Sequence, residues 1–265
     1  GKAMTESRSY VRSDSLQILR FFAAALVLYT HITYYIHERI DARFEVWHWG
    51  AVGVPIFFVI SGFVMQVASS SLPATPSGAA SFLKRRIIRI FPLYWLITTV
   101  KILIVLALPT VVFHNHPDFL RSAASYLLIP TFNGEGEIRP IHGVGWTLYH
   151  EVVFYYIFAA ALLFRRSPIL FVAAIVVVLY FAGRLIGAAS AISVVWTSPL
   201  NLLFVSGMFL GWFYERNYLI PFWGNLMVFC LGLSLLFSMF PSRYFLEFFG
   251  DFNVGVFLVV GSLVS

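Results

Sequence analysis

Cysteine and charged residues are what this sequence has least of. A single cysteine, Cys230, lies inside an apolar run, which excludes a disulfide framework and a cysteine-based metal site. Charged residues make up 11% of the 265 positions, less than half of the roughly 25% that is typical of soluble domains. Hydrophobic residues make up 60% instead, which indicates a membrane protein rather than a soluble domain around one core.

Apolar runs of about twenty residues recur along the chain, and a helix of about that length crosses the hydrocarbon core of a membrane. We therefore predict an all-α, polytopic membrane bundle with eight spans, at residues 16–36, 50–68, 88–108, 143–164, 168–188, 199–214, 220–240 and 248–265. Lysine and arginine are concentrated in alternate loops, which predicts a cytoplasmic N-terminus. The formal charge of +6 therefore belongs to loops between spans and does not indicate a nucleic-acid partner.

The chain is expected to form a single domain over residues 1–265. Residues 1–3 stand before Met4 and are expected to be a cloning remnant. The first apolar run is too long for a cleavable signal peptide. The last run reaches Ser265 without a polar tail, so we expect the chain to be truncated at its C-terminus.

The first apolar run carries two ionisable residues, Arg20 and His31. They stand eleven residues apart, so on a helix both leave the same face, about 16 Å apart along the axis. An ionisable side chain inside a membrane helix is costly unless it faces protein or a water-filled cavity, which makes the pair a candidate functional site. The imidazole is suited to act as a general base near neutral pH. The structural alternative is a snorkelling arginine and a buried, hydrogen-bonded histidine.

Four cations, Lys84, Arg85, Arg86 and Arg89, stand at the predicted cytoplasmic mouth of the third span. Arg86 and Arg89 are three residues apart and share a helix face, and paired guanidinium groups suit phosphate oxygens. The alternative is that these cations only follow the positive-inside rule or bind anionic lipid headgroups. Pro92 is expected to start or kink the span.

A third polar group opens the predicted fourth span, within residues 145–156. His150 and Glu151 are predicted to enter its outer third, the depth also predicted for His31, and a carboxylate buried there needs a partner. A glutamate beside a histidine can hold its tautomer and stabilise its charged form. The alternative is a helix-packing ion pair with Arg184.

The segment from about residue 109 to 142 is the longest between predicted spans, and a loop of that length is usually functional. The spacing of His114 and His116 is not diagnostic of a metal site, so surface histidines are the better interpretation and no metal is expected. The apolar residues 123–129 are too few to span, and we expect them to re-enter the membrane or lie along it.

Four stretches, in order over about residues 14–165, carry a resemblance to a known family. They are LQILR at residues 16–20 with His31, GVPIFFVISGFV at 53–64, RIIRIFPLYW at 86–95, and WTL at 146–148 with Glu151, Phe154 and Tyr155. Together they resemble the membrane-bound acyltransferase-3 family, and in particular its exopolysaccharide acetyltransferase branch. The resemblance implies about ten spans and an enzyme of the bacterial inner membrane. Its partners would be the lipid bilayer, acetyl-CoA as acyl donor, and an exported or lipid-linked polysaccharide whose hydroxyl is acetylated.

The resemblance and the three polar groups together assign residues to roles. The expected catalytic residues are His31, Glu151 and Arg20, with His31 as base or acyl acceptor. The donor site is expected at Arg86, Arg89, Lys84, Arg85 and Tyr94. The acceptor site is expected at Trp146, His150, Tyr155 and His142. A pantetheine arm is about as long as the roughly 16 Å between Arg20 and His31.

A second function stays open at this point. Arg20, His31 and Glu151 would also serve a proton-coupled transporter or flippase for a glycan or an acyl group. Inverted repeats and paired broken helices would favour that function, and the sequence shows neither.

Overall fold

The computed structural model of the protein describes residues 2–70, 72–107, 118–163 and 168–216, with side chains from Ser15 onward. Several predictions fall outside these residues. They are the two spans at 220–240 and 248–265, the single cysteine Cys230, and the histidines His114 and His116.

The described residues form helices, and the all-α prediction is confirmed for them. The helices are α1 (Lys2–Arg39), α2 (Gly53–Ser69), α3 (Pro76–Ala107), α4 (Phe119–Tyr126), α5 (Trp146–Ala161), α6 (Pro168–Ile186), α7 (Ala191–Trp196) and α8 (Leu200–Glu215), with short 3₁₀ turns at His48–Val52 and Gly143–Gly145. Within the described ranges β-pairing is limited to one isolated bridge, between Phe132 and Ile138.

Five segments are long and apolar enough to cross a membrane: Ser15–Arg39, His48–Ser69, Pro76–Ala107, Pro168–Ile186 and Ala191–Glu215. Each overlaps a span that the sequence predicted. The span predicted at 143–164 corresponds to α5, whose 16 residues extend for about 24 Å and so fall short of the roughly 30 Å hydrocarbon core. The number of spans and the side on which the N-terminus lies stay predictions.

Helix α3 begins at Pro76, twelve residues before the predicted span at 88–108. Proline suits the first position of a helix, and the Thr75 hydroxyl caps that end by accepting a hydrogen bond from the Gly78 N–H at 3.2 Å. Pro92 lies inside α3, so it does not start the helix. The basic cluster consequently lies within a long helix and not at its first turn.

Helix α4 occupies part of the segment that was predicted to re-enter or lie along the membrane. Asp118 caps it, because its carboxylate accepts a hydrogen bond from the Arg121 N–H. Phe119 and Leu120 are 84% and 78% exposed, so the first turn of α4 presents an apolar surface away from the protein.

The described residues divide into two compact units. The first consists of those up to residue 70 together with those from residue 202 onward, and the second consists of those in between. In the first unit, α2 and α8 cross closely at two glycines. A Cβ on Gly62 would lie 2.0 Å from the Phe204 carbonyl oxygen, and one on Gly207 would lie 1.9 Å from the Val59 carbonyl oxygen. Small residues at such crossings let helix backbones approach each other in membranes.

In the second unit, α5 is the buried centre and runs antiparallel to α3. Near one end of the pair, Phe82 packs on Phe158 with ring centroids 4.8 Å apart. Near the other, a Cβ on Gly145 would lie 3.0 Å from the Tyr94 ring. This pairing fixes which residues of α3 and α5 face each other.

Candidate functional site

His31 lies on α1 with its tautomer fixed by the backbone. Its Nδ1 lies 2.8 Å from the Val27 carbonyl oxygen, which can only accept a hydrogen bond. Nδ1 therefore carries the proton of the neutral ring, and Nε2 keeps its lone pair. A half-buried imidazole in this form is arranged to act as a base or a nucleophile through Nε2.

The turn of α1 that carries His31 is tied to the segment that follows the helix. The Thr30 hydroxyl donates to the Trp47 carbonyl oxygen at 2.9 Å, and the Trp47 N–H donates to the Thr33 hydroxyl at 3.0 Å. Arg20 lies on the same uninterrupted helix and is also half-buried. The predicted spacing of about 16 Å between Arg20 and His31 follows from that continuity.

Arg86 is the half-buried member of the basic cluster, whereas Lys84, Arg85 and Arg89 are exposed. Its guanidinium carbon lies 5.3 Å from the Phe82 ring centroid and 5.8 Å from that of Tyr155, both within cation–π range. Within the described part of the chain, Arg86 makes no hydrogen bond or ion pair. Its N–H donors therefore have no hydrogen-bond acceptor among the described groups.

Glu151 joins this cluster through Tyr155. The Tyr155 hydroxyl donates a hydrogen bond of 2.8 Å to Glu151 Oε1, one helical turn earlier on α5. From the sequence alone, Arg86 is predicted at the cytoplasmic mouth of its span and Glu151 in the outer third of another. The structure corrects that separation, because Arg86 lies well inside α3 and the antiparallel pairing brings it to the same tyrosine as Glu151.

Tyr94, predicted for the donor site, lies apart from the arginines. It is eight residues from Arg86 on α3, about 12 Å along the axis. Its hydroxyl donates to the Ser125 carbonyl oxygen at 2.9 Å, and the Ser125 hydroxyl accepts from the Ile141 N–H at 2.9 Å. These hydrogen bonds hold α4 and the following segment against α3. In this structure Tyr94 therefore connects elements of the fold and does not contact the arginines.

His150 is held by Asn201, a residue that the sequence analysis missed. The Asn201 amide nitrogen donates to the carbonyl oxygens of Val195 and Trp196, which turns its Oδ1 toward His150 Nδ1 at 3.2 Å. Nδ1 is therefore the donor, and both residues are buried. Trp146 lies edge-on to the imidazole, with ring centroids 5.9 Å apart.

His142 precedes α5 and is half-buried in the segment that docks on α4. Burial lowers the pKa of His142 below its ordinary value, and the positive charge of Lys101 lowers it further. The folded protein therefore favours the neutral form of this imidazole more than the unfolded chain does.

The pH dependence of stability tests whether folding lowers the pKa of His142. Since the folded pKa lies below the unfolded one, the unfolded chain binds more protons as the pH falls through the ordinary histidine range, and stability is lost there. The Tm in detergent is expected to fall more between about pH 7.5 and pH 5.5 for the wild type than for His142→Asn. An equal fall in both proteins would contradict the assignment.

Phe82 is a second residue to which the sequence alone assigned no role. It stands four residues before Arg86, which is a contact spacing on a helix, so an earlier predicted start for α3 would have found it. Asn201 carries no comparable signal, because it lies 51 residues from His150. Among the described residues, no group of three or more His, Cys, Asp or Glu side chains is placed to hold a metal ion.

The long apolar helices, with the ionisable side chains of His31 and Arg86 on two of them, are those of a helical membrane protein. The chain belongs to the acyltransferase-3 family, whose model, described as an acyltransferase domain, matches residues 13–264. The exopolysaccharide production protein ExoZ of Rhizobium meliloti (strain 1021) is 36% identical over 176 residues, which cover 65% of this chain and 53% of that protein. The chain thus spans about half the length of this relative. No solved structure matches the chain.

Proposed function

We propose that the protein is an integral-membrane O-acyltransferase of the bacterial inner membrane. It moves an acetyl group from cytoplasmic acetyl-CoA to a hydroxyl of an exported or lipid-linked polysaccharide. Family membership supports acyl transfer, and the relative named for exopolysaccharide production supports a glycan acceptor. The observation that carries the proposal is the lone pair on His31 Nε2, left available by the bond from Nδ1 to Val27.

His31 supplies the proton transfer in this proposal. Nε2 takes the proton of the acceptor hydroxyl while the hydroxyl oxygen bonds to the thioester carbonyl carbon. The carbon–sulfur bond then breaks, and the departing CoA sulfur takes the proton from the imidazolium. A route through an acyl-imidazole starts from the same lone pair, with Nε2 as the nucleophile. The catalytic roles of Glu151 and Arg20 stay predictions from the sequence.

Arg86 and Arg89 bind the phosphates of the donor, with Lys84 and Arg85 adding positive charge. The support is the half-buried guanidinium of Arg86, whose N–H donors meet no acceptor in the described part of the chain. Guanidinium groups bind phosphate through paired, charge-assisted hydrogen bonds, which makes them suitable for a nucleotide thioester.

The acceptor glycan is assigned to the residues around the N-terminal end of α5. Trp146 and His142 are half-buried and so remain partly accessible, whereas His150 and Tyr155 are buried. Direct contact with a sugar therefore falls to Trp146 and His142 in this proposal. His150 supports Trp146, against which it lies edge-on, whereas Tyr155 packs against Phe82 and Arg86 instead.

Donor binding tests the proposal. Acetyl-CoA binding to the purified protein, measured by calorimetry, is expected to weaken by about 10- to 100-fold in Arg86→Ala/Arg89→Ala, because two charge-assisted phosphate contacts are lost. Arg43→Ala is the control, since Arg43 is exposed and pairs with Asp41 at 3.0 Å.

Two outcomes would contradict this assignment. Equal affinity in the double variant and the wild type would leave the arginines as topology signals only. The absence of binding by a well-folded wild type would favour the proton-coupled transporter instead, and uptake into liposomes would then be the measurement to make.

A further inference from the structure

Helix α5 begins far inside the span of α3 and not at a membrane face. Its first residue follows Gly145, on which a Cβ would lie 3.0 Å from the Tyr94 ring. Tyr94 stands thirteen residues before Ala107, the last residue of α3, which is about 20 Å along the axis. Residues 102–107 are all apolar, so the membrane face at the C-terminal end of α3, here called the distal face, lies at Ala107 or beyond it. Helix α5 therefore begins about 20 Å or more below the distal face.

The segment between α4 and α5 reaches the same level through hydrogen bonds. The Tyr94 hydroxyl donates to the Ser125 carbonyl oxygen, and the Ile141 N–H donates to the Ser125 hydroxyl, both at 2.9 Å. The ring N–H of Trp95 donates to the Tyr126 carbonyl oxygen at 2.8 Å. Helical side chains lean toward the N-terminus of their helix, so these two α3 side chains reach away from the distal face. The end of α4 and residue 141 thus lie about as deep as the start of α5.

Charged residues of this segment lie below the distal face as well. Arg139 is two positions from Ile141, and two residues of extended chain span at most about 7 Å. The backbone of Arg139 is therefore at least about 13 Å below the distal face. Yet Arg139 pairs with Glu137 at 3.3 Å, and the two side chains are 52% and 44% exposed.

An exposed ion pair at this depth requires water. Charged side chains inside a membrane face protein or a water-filled cavity, because hydrocarbon does not solvate them. Backbone outside helices at membrane depth is likewise tolerated only where protein buries it or where it lines such a cavity. Since this pair is not buried, the cavity is the arrangement that fits.

The surface of α3 at the same level has the opposite character. Leu93 and Leu96, on either side of Tyr94 in the sequence, are 62% and 61% exposed. Exposed leucines inside a span suit contact with lipid. The second unit therefore presents a polar segment and a lipid-facing surface at one depth.

We propose that residues 118–145 form a re-entrant segment, which lines a water-filled entry from the distal face and admits a hydrophilic acceptor to His142 and Trp146. This selects re-entry over a position along the membrane for residues 123–129. The segment replaces the part of the fourth span that α5, about 24 Å long, does not supply. In the predicted topology the distal face is the outer one, where an exported glycan would be. The use of the entry by a glycan rests on the proposed function, whereas the re-entrant position rests on the contacts alone.

Thiol labelling in sealed vesicles of each orientation tests the entry, in a Cys230→Ser background. Val144→Cys and Leu93→Cys are a matched pair, because both side chains are apolar, exposed and close in depth to Tyr94, one on the segment and the other on α3. A negatively charged methanethiosulfonate that does not cross membranes is expected to modify Val144→Cys at least about tenfold faster, because the reactive thiolate is disfavoured in hydrocarbon. Ser81→Cys, exposed toward the other end of α3, marks the opposite face. Labelling in detergent gives the total reactive thiol of each variant.

Val144→Cys should react from the distal face and Ser81→Cys from the opposite one. The entry is overturned if Val144→Cys reacts from neither face, or only from the face that modifies Ser81→Cys. Equal rates for Val144→Cys and Leu93→Cys would also overturn it, because the level of Tyr94 would then lie outside the hydrocarbon. Arg139→Cys is expected to react from the distal face too, and it decides the result if Val144→Cys does not fold.

Acetyl transfer by the same samples separates the entry from its use by the acceptor. Modified Val144→Cys is expected to transfer about tenfold more slowly or less, because the added group obstructs the acceptor, whereas modification of Leu93→Cys should leave the rate unchanged. Modification of Val144→Cys without loss of transfer would overturn the acceptor route and leave the entry in place. A wild type without transfer activity would contradict the proposed function, and the labelling would still decide the re-entrant position.

Discussion

His31→Ala is expected to lower acyl transfer by about 10²- to 10⁴-fold, the usual contribution of a general base, or to abolish it where an acyl-imidazole forms. The reason is that Nε2 supplies the lone pair, while Nδ1 is occupied by the Val27 carbonyl oxygen. The side chain is only half-buried, so its removal should leave the Tm within a few degrees of the wild type. The measurement is the rate of acetyl transfer from acetyl-CoA, with the Tm recorded on the same sample.

His37→Ala is the matched control for this variant. His37 lies on the same helix and makes the same kind of bond, from Nδ1 to the Phe44 carbonyl oxygen at 2.8 Å. Its loss should leave transfer nearly unchanged. If His31→Ala unfolds the protein, or if both variants lose activity equally, the hydrogen bond of His31 is structural and the catalytic assignment fails.

Helix α1 was predictable because its signal is local. Residues 16–36 form one apolar run, and Arg20 and His31 lie within it, so helical geometry alone gives their spacing. The same reasoning predicted too short a helix for α3. An apolar window finds the part of a helix that crosses the membrane, and residues 76–87 are too polar to register there although the structure continues the helix through them.

The contacts of the candidate site depend on how helices pair, and a single sequence does not contain that information. Arg86 and Tyr155 are 69 positions apart and meet only because α3 and α5 run antiparallel in one register. Both residues were predicted for function, but the sequence assigned Arg86 to the donor site and Tyr155 to the acceptor site. The amide of Asn201 that fixes His150 is likewise a tertiary contact without a local signal.

The glycine crossing of α2 and α8 gives the largest expected effect on stability. Alanine in place of Gly62 would put a Cβ 2.0 Å from the Phe204 carbonyl oxygen, and alanine in place of Gly207 would put one 1.9 Å from that of Val59. Both neighbours are backbone atoms, so no side chain can rotate aside, and the helices would have to separate by more than 1 Å to reach an ordinary contact of about 3.2 Å. Overpacking of this kind costs about 3 kcal/mol or more.

Helix propensity and the helix crossing predict changes of Tm in opposite directions, so the measured Tm distinguishes between them. In an isolated helix, glycine to alanine stabilises by about 1 kcal/mol, so intrinsic helix propensity predicts that Gly62→Ala and Gly207→Ala melt higher than the wild type. The crossing predicts instead a large loss of Tm and of monodisperse protein in detergent, because close approach governs helix association in a membrane. Gly134→Ala serves as the control, since a Cβ there meets nothing within 4 Å. If Gly62→Ala melts with or above the wild type while Gly134→Ala is neutral, α2 and α8 do not approach at Gly62, and the packing that holds the first unit together lies elsewhere.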